Sequence, residues 1–447
     1  MLRKLLDFSS NSTADLLHCL DSLFGCIYLK NAGEDIVAFS PEQYCISTQQ
    51  QLSCYTRNHF THYQKDKSDS HLNHLFNFTA QSAPKQHSFQ GGYMGFIDYN
   101  YASQQHIDAK IKSQPNFYMG VYKTFIKREN EQFFFYSMEA CAEEFFNFIQ
   151  DLLTIPSTQN QSFKLLSNCT ATWTKPQYDH AFTQVQEYIK AGDCYQINLT
   201  QEFTAKAHGL LLDTAEKFWT LTDAPYSGYL KINDFELLSC SPELFIDFEA
   251  DHKITTKPIK GTMPRYDDPT LDAQSKNTLI QSKKDQAENV MIVDLLRNDL
   301  SVYAETGSVK TPKLFNIESF NQVHHMVSEV TATLKPDVNP FEVLFTALPG
   351  GSITGAPKIR AMQIIEELES APRGAYCGSL GYFNFDGTGS WNILIRSIQK
   401  YQDEVSLWAG GGITIASDCD AEYQECFDKV AAMLDLLNTW HQPQHES

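Results

Sequence analysis

The sequence predicts a mixed fold of strands and helices, on three observations. Leu23 to Leu29 and Tyr118 to Lys127 are apolar runs of strand length, and Glu131 to Ser137 follows the second across a short polar turn, which predicts a hairpin. In Cys194 to Gln201, the apolar Tyr195, Ile197 and Leu199 alternate with the uncharged polar Gln196, Asn198 and Thr200. Pro176 to Ala191 reads as a helix, with Tyr178, Phe182, Val185 and Ile189 on one face and Gly192 as its stop.

At 447 residues the chain holds one large or two moderate domains. Ile155 to Thr170, rich in Ser, Gln, Asn and Thr, is the best boundary. It separates a β-rich region, 1–155, from a second region, 175–440. The net charge of -19 argues against nucleic acid or an anionic membrane as partner. A small anionic substrate would need a locally positive site. The 11 cysteines are scattered and never form C-x-x-C, so free thiols in a reducing compartment are expected. Arg3 and Lys4 lack an apolar run behind them, and no stretch reaches the length of a membrane span. A cytoplasmic location is expected.

In the first region, Thr61 to His71 reads as a loop and Glu139 to Leu153 as a helix. Phe89 to Phe96 is an aromatic stretch punctuated by glycines. In the second, Leu237–Cys240, Leu244–Phe248 and Lys253–Thr256 read as strands, with Ser241-Pro242-Glu243 as an interruption that aims Glu243. Thr256 to Arg265 fixes Lys260 between Pro258 and Gly261, near Glu243 on a neighbouring strand. That pair is either a cross-strand salt bridge or an acid and an amine poised for chemistry. Lys283 to Asp299 reads as a helix apolar almost all round, hence buried, in which Glu288 and Asp294 need partners.

His324 and His325 sit on a strand, one facing in and one out. Leu348 to Lys358 is a small-residue loop feeding a helix, an anion site of neither Walker nor G-x-G-x-x-G pattern. Tyr376–Phe385, Ile393–Tyr401 and Val405–Ile415 read as strands. Arg396 lies deep in the second of these, and Gly410, Gly411 and Gly412 in the third invite close approach. Ala421 to Leu437 is the last helix, with Glu422 and Glu425 on one face. Together with Glu288 they offer oxygens suited to magnesium.

These motifs, in this order, resemble the chorismate-utilising enzymes. The resemblance spans roughly Pro176 to Leu437, with a weaker echo in Phe89–Tyr99 and Pro115–Glu129. It implies an α+β fold like that of anthranilate synthase component I: two large, mainly antiparallel sheets in a sandwich flanked by helices, with the two regions intertwined in one globular unit. It also implies a reaction. Anthranilate synthases typically carry alanine where Lys260 stands, and isochorismate and salicylate synthases a lysine base where Gln196 stands. The combination here implies amination of chorismate at C4 to 4-amino-4-deoxychorismate, the precursor of 4-aminobenzoate and folate. The alternatives are anthranilate formation and a non-catalytic chorismate-binding scaffold for an amidotransferase.

By this resemblance Lys260 is the nucleophile and Glu243 the acid, and Glu288, Glu422 and Glu425 hold Mg2+. Arg396, Tyr382 and the amides of Gly410, Gly411 and Gly412 hold the enolpyruvyl carboxylate. His325, Thr354 and Gly355 line the ring pocket, with Gln196, Gly261 and Thr262 as further substrate contacts. Ammonia comes from a separate glutamine amidotransferase subunit. Asn198, Pro225 and Tyr226 match residues near which relatives hold tryptophan, and form a candidate tryptophan site. Trp391 stands where relatives carry a small residue and places bulk beside the pocket.

Overall fold

The computed structural model describes residues 1–447 except 32, 67–75, 77, 79–87, 156–161, 321–322 and 442–447. Two antiparallel sheets, of 13 and 12 strands, stack as a sandwich with helices outside. Between the sheets, Leu29, Leu230 and Leu237 of the larger meet Met94, Phe96 and Leu380 of the smaller. The alternate residues Tyr28, Tyr229 and Leu238 point outward, beneath helices Thr13–Cys19, Ala142–Thr154 and Ala431–Asn438. Both faces of these strands are covered, which is why they read as continuous apolar runs.

Strands from either side of the expected boundary share both sheets, an early block joined to a late block at one pairing in each. Cys26–Asn31 lies beside Tyr226–Ile232 in the larger, and Gly92–Ile97 beside Ser379–Asn384 in the smaller. Residues 156–161 of the boundary stretch lie outside the described ones. Just after them, Phe163 and Leu165 are buried in the core under the larger sheet. Among the described residues, no helix is long and apolar enough to cross a membrane.

Several expectations are corrected. Tyr118 to Lys127 is not one strand: Pro115–Tyr122 belongs to the smaller sheet and Thr124–Glu129 to the larger. The chain changes sheets at Lys123, and the two halves read as one run because both are buried and only this short polar step separates them. Within the expected loop, His62–Lys65 is an edge strand, while residues 67–71 lie outside the described ones. The Lys283–Ser301 helix is one-sided: Ile292, Val293 and Leu296 are buried, but Val290 is 46 % exposed. Its Asp294 finds its partner at the surface, in Arg297. The last helix is two, Cys419–Asp428 and Ala431–Asn438. Finally, Cys45 and Cys54 form a disulfide where free thiols were expected. They face each other across a hairpin, with Cα atoms 4.1 Å apart.

Candidate active site

The site lies where the chain passes from one sheet to the other. Phe235–Ser241 belongs to the larger sheet and Leu244–Phe248 to the smaller, and Pro242 and Glu243 form the crossing. Gly389–Asn392 and Ser397–Tyr401 make the reverse passage through Arg396. The two crossings bond to each other: the Ile393 amide donates to the Glu243 carbonyl at 3.1 Å and the Cys240 amide to the Arg396 carbonyl at 3.0 Å. Arg396 is therefore not within a strand, as expected, but at a junction with φ +49°, a strained conformation for a non-glycine residue.

Beside these crossings opens a cavity of about 810 Å³, large enough for a small organic acid. Glu243 and Lys260 both face it. Lys260 sits where the Ile259–Pro264 strand shifts register against Val323–Thr333, an irregularity that re-aims a side chain. The next residue, Gly261, has φ +83°, and a Cβ there would stand 2.8 Å from Asp285. Only glycine lets the Lys283–Ser301 helix come this close. Burial pushes the Glu243 carboxyl, which is 4 % exposed, up to about 7, against the opposing Lys260 charge. Burial also lowers Lys260, against the carboxylate of Glu288 above all. Ser352 donates to Glu243 Oε1 at 3.3 Å.

Glu288, Glu422 and Glu425 line the same cavity. Glu288 Oε1 is buried without a hydrogen-bond partner. Glu422 Oε2 and Glu425 Oε1 both lean over Gly411, where a Cβ would stand 2.8 and 3.3 Å from them. Lys284 Nζ lies 3.4 Å from Glu422, and Lys429 Nζ 2.6 Å from Glu425. Among the described residues, no three His, Cys, Asp or Glu side chains form a ready-made metal cage. Magnesium does not need one, because it usually takes one or two carboxylates and completes its shell with water and substrate oxygens. Three carboxylates on one cavity, one with an orphaned oxygen, fit that ion.

Other expected residues are also on this wall: Gly261, Thr262, His325, Arg396, Gly410 and Gly412. Both histidines are buried, not one in and one out, since the Val323–Thr333 strand is covered on both sides. His324 bonds Ser319 and Asp272, and His325 bonds Thr262 at 2.8 Å. Burial, with help from Arg396 and His324, pushes His325 down to about 3.

Gln196 lies behind the glycines, its amide where a Cβ on Gly412 would fall. Thr354 and Gly355 are spent on backbone bonds to Gly350, Asn198 and Ile197, while their neighbours Ser352 and Ile353 reach the cavity. Tyr382 is outside it: the ring is buried against Phe89 and its hydroxyl accepts from Asn31. Trp391 is also turned away, packed on Phe383 in the core, so it adds no bulk to the cavity. Of the candidate tryptophan-site residues, Asn198 lines the cavity, whereas Pro225 and Tyr226 are not on its wall and stand at a strand four places away in the larger sheet.

The sequence profile of the chorismate binding enzymes matches residues 26–435. The chain belongs to this family. The match reaches well beyond the region where the motifs were read. Aminodeoxychorismate synthase component 1 of Salmonella typhimurium is 48 % identical over 275 residues, 62 % of this chain and 60 % of that protein. An anthranilate synthase component 1 of Haloarcula marismortui is 36 % identical over 63 % of this chain and 57 % of its own. The matched stretch thus spans about 60 % of these curated relatives. In structure, anthranilate synthase component I from Streptococcus pneumoniae covers 90 % of this chain and 92 % of its own, with a TM-score of 0.77 and 26 % identity.

Sequence reasoning missed several wall residues of this chorismate binding enzyme. Tyr376 lines the cavity in place of Tyr382. Trp408 does too, and its signal was its position two and four residues before Gly410 and Gly412 on one face of a strand. Lys284 precedes Glu288 by four residues on a helix, a spacing that itself announces a pair.

Proposed function

We propose that this chain aminates chorismate at C4 to give 4-amino-4-deoxychorismate. The observation that carries the reading is the pairing of Glu243 and Lys260 in one cavity, with burial driving the first toward its neutral acid and the second toward its free amine. The likeness to aminodeoxychorismate synthase component 1 supports it.

Lys260 adds to C2 of the ring as the double bonds shift and the C4–O bond breaks. The departing oxygen takes the Glu243 proton and leaves as water. Ammonia then adds at C4, the double bonds shift back, and Lys260 leaves C2 as its neutral amine. The proton shed by the new C4 nitrogen resets Glu243. Arg396 supplies positive charge for a substrate carboxylate, which the acidic chain otherwise lacks. His325, uncharged, orients through Thr262. Magnesium, held by Glu288, Glu422 and Glu425, would supply charge that draws electron density from the ring carboxylate. Ammonia would come from a separate glutamine amidotransferase subunit, in the cytoplasm.

A second reading, anthranilate synthesis, draws on the likeness to anthranilate synthases. The amine of Lys260 in the cavity disfavours it. The test is a mass-spectrometric product assay with purified chain, chorismate, magnesium and ammonium salt at mildly alkaline pH. Nitrogen in place of the C4 hydroxyl, with the enolpyruvyl group kept, is expected. Anthranilate plus pyruvate would transfer the chain to the second reading. Bound but unchanged chorismate, even after a glutamine amidotransferase and glutamine are added, would leave a scaffold.

A further inference from the structure

Arg373 lies behind the cavity, 1 % exposed, and bonds to residues of its wall. Its guanidinium makes four hydrogen bonds. Nε and Nη2 grip Glu369 at 2.8 and 2.7 Å, Nη1 donates to the Ile353 carbonyl at 2.9 Å, and Nη2 donates to the Asn198 carbonyl at 2.7 Å. The plane also lies 4.6 Å from the Tyr99 ring and 5.8 Å from the Tyr376 ring. Asn198, Ile353 and Tyr376 all line the cavity, on three separate segments. Tyr376 in turn stacks on Trp408, another wall residue, at 5.9 Å and 13°. Asn198 Nδ2 donates to the same Ile353 carbonyl that Arg373 holds.

A buried ion pair is often no more stabilising than the apolar residues that could replace it. Directed bonds to two wall carbonyls do something apolar packing cannot: they fix position. Glu369 is fixed as well, since the amide and hydroxyl of Thr200 donate to its Oε1 at 3.0 and 2.7 Å. We infer that Arg373 is a positioning residue for substrate binding, a clamp that sets the distance between the Asn198, Ile353 and Tyr376 walls. It touches neither Glu243 nor Lys260, so it governs the fit of the substrate and not the proton or amine chemistry. The inference rests on the cavity being the chorismate site.

Three variants separate placement from stability. In R373K the ammonium still pairs with Glu369 but cannot reach both carbonyls. In the double variant R373M/E369M the pair is replaced by side chains that fill the core. T200V loosens Glu369 without freeing either wall carbonyl. R373K and R373M/E369M are each expected to raise the KM for chorismate about tenfold or more, with kcat within about threefold and the alkaline limb of the pH profile unmoved. T200V is expected to lower Tm with KM unchanged. KM unchanged in both Arg373 variants would overturn the clamp, as would a T200V variant whose KM rises as far as theirs. If R373K does not fold, the double variant decides. If wild-type chain shows no chorismate binding in calorimetry, the reading of the cavity falls, and the clamp with it.

Discussion

Glu243 and Lys260 each hold back what burial does to the other. The carboxyl rises to about 7 although the Lys260 charge pulls it down, and the amine falls although Glu243 and, more strongly, Glu288 hold it up. Removing either partner should therefore change the ionisation of the one that remains.

Glu243 gives a stability signature independent of turnover. Its pKa is raised from 4.5 to about 7 on folding. The stabilisation this brings is fully present below 4.5 and is lost as pH rises through about 7. Across that window the loss reaches about 3 kcal/mol. E243Q, which cannot ionise, should gain about that much over wild type between pH 4.5 and 8 in urea denaturation. A difference that stays constant with pH would refute the buried neutral acid.

Lys260→Ala removes the amine that attacks C2. Turnover is expected to fall by roughly 10²-fold or more with an unchanged circular dichroism spectrum, because the side chain faces a cavity. Wild-type-like turnover would remove the covalent role.

Glu425→Gln removes one of the two carboxylates over Gly411. The magnesium concentration giving half-maximal activity should rise about tenfold or more. An unchanged magnesium titration would discard this ligand.

His325, held down to about 3, should stay uncharged from pH 5 to 8. Its ring signals in a nitrogen–proton NMR titration are expected to remain flat over that range. A midpoint near the ordinary histidine value would contradict the buried neutral ring.

What the sequence showed best was chemistry carried by residue type. Lys260 beside a glycine, Glu243 after a proline and three glutamates on two helices could be read without knowing the sheets. What it hid was set by strand order and register. Tyr376 and Tyr382 lie six residues apart in one apolar run, and only the strand start at Ser379 decides which of them meets the cavity. Asn198 lies near the start of one strand and Tyr226 begins another, and only the order of strands shows that the two are not neighbours. Cys45 and Cys54 are nine residues apart, a spacing that means a bond only once their hairpin register is known. One of His324 and His325 was expected outside because a strand alternates, but alternation predicts exposure only where one face is bare.

The joining of an early block of strands to a late one in both sheets sets a timetable for protein synthesis. Cys26–Asn31 cannot meet one of its neighbours, Tyr226–Ile232, until some 200 further residues have been made. Gly92–Ile97 waits longer still for Ser379–Asn384. A ribosome-bound chain therefore carries open strand edges until those partners emerge, the circumstance in which chaperones are needed. The carboxylates of Glu422 and Glu425 follow the last of these strands, so the cavity is finished only after both sheets have all their strands.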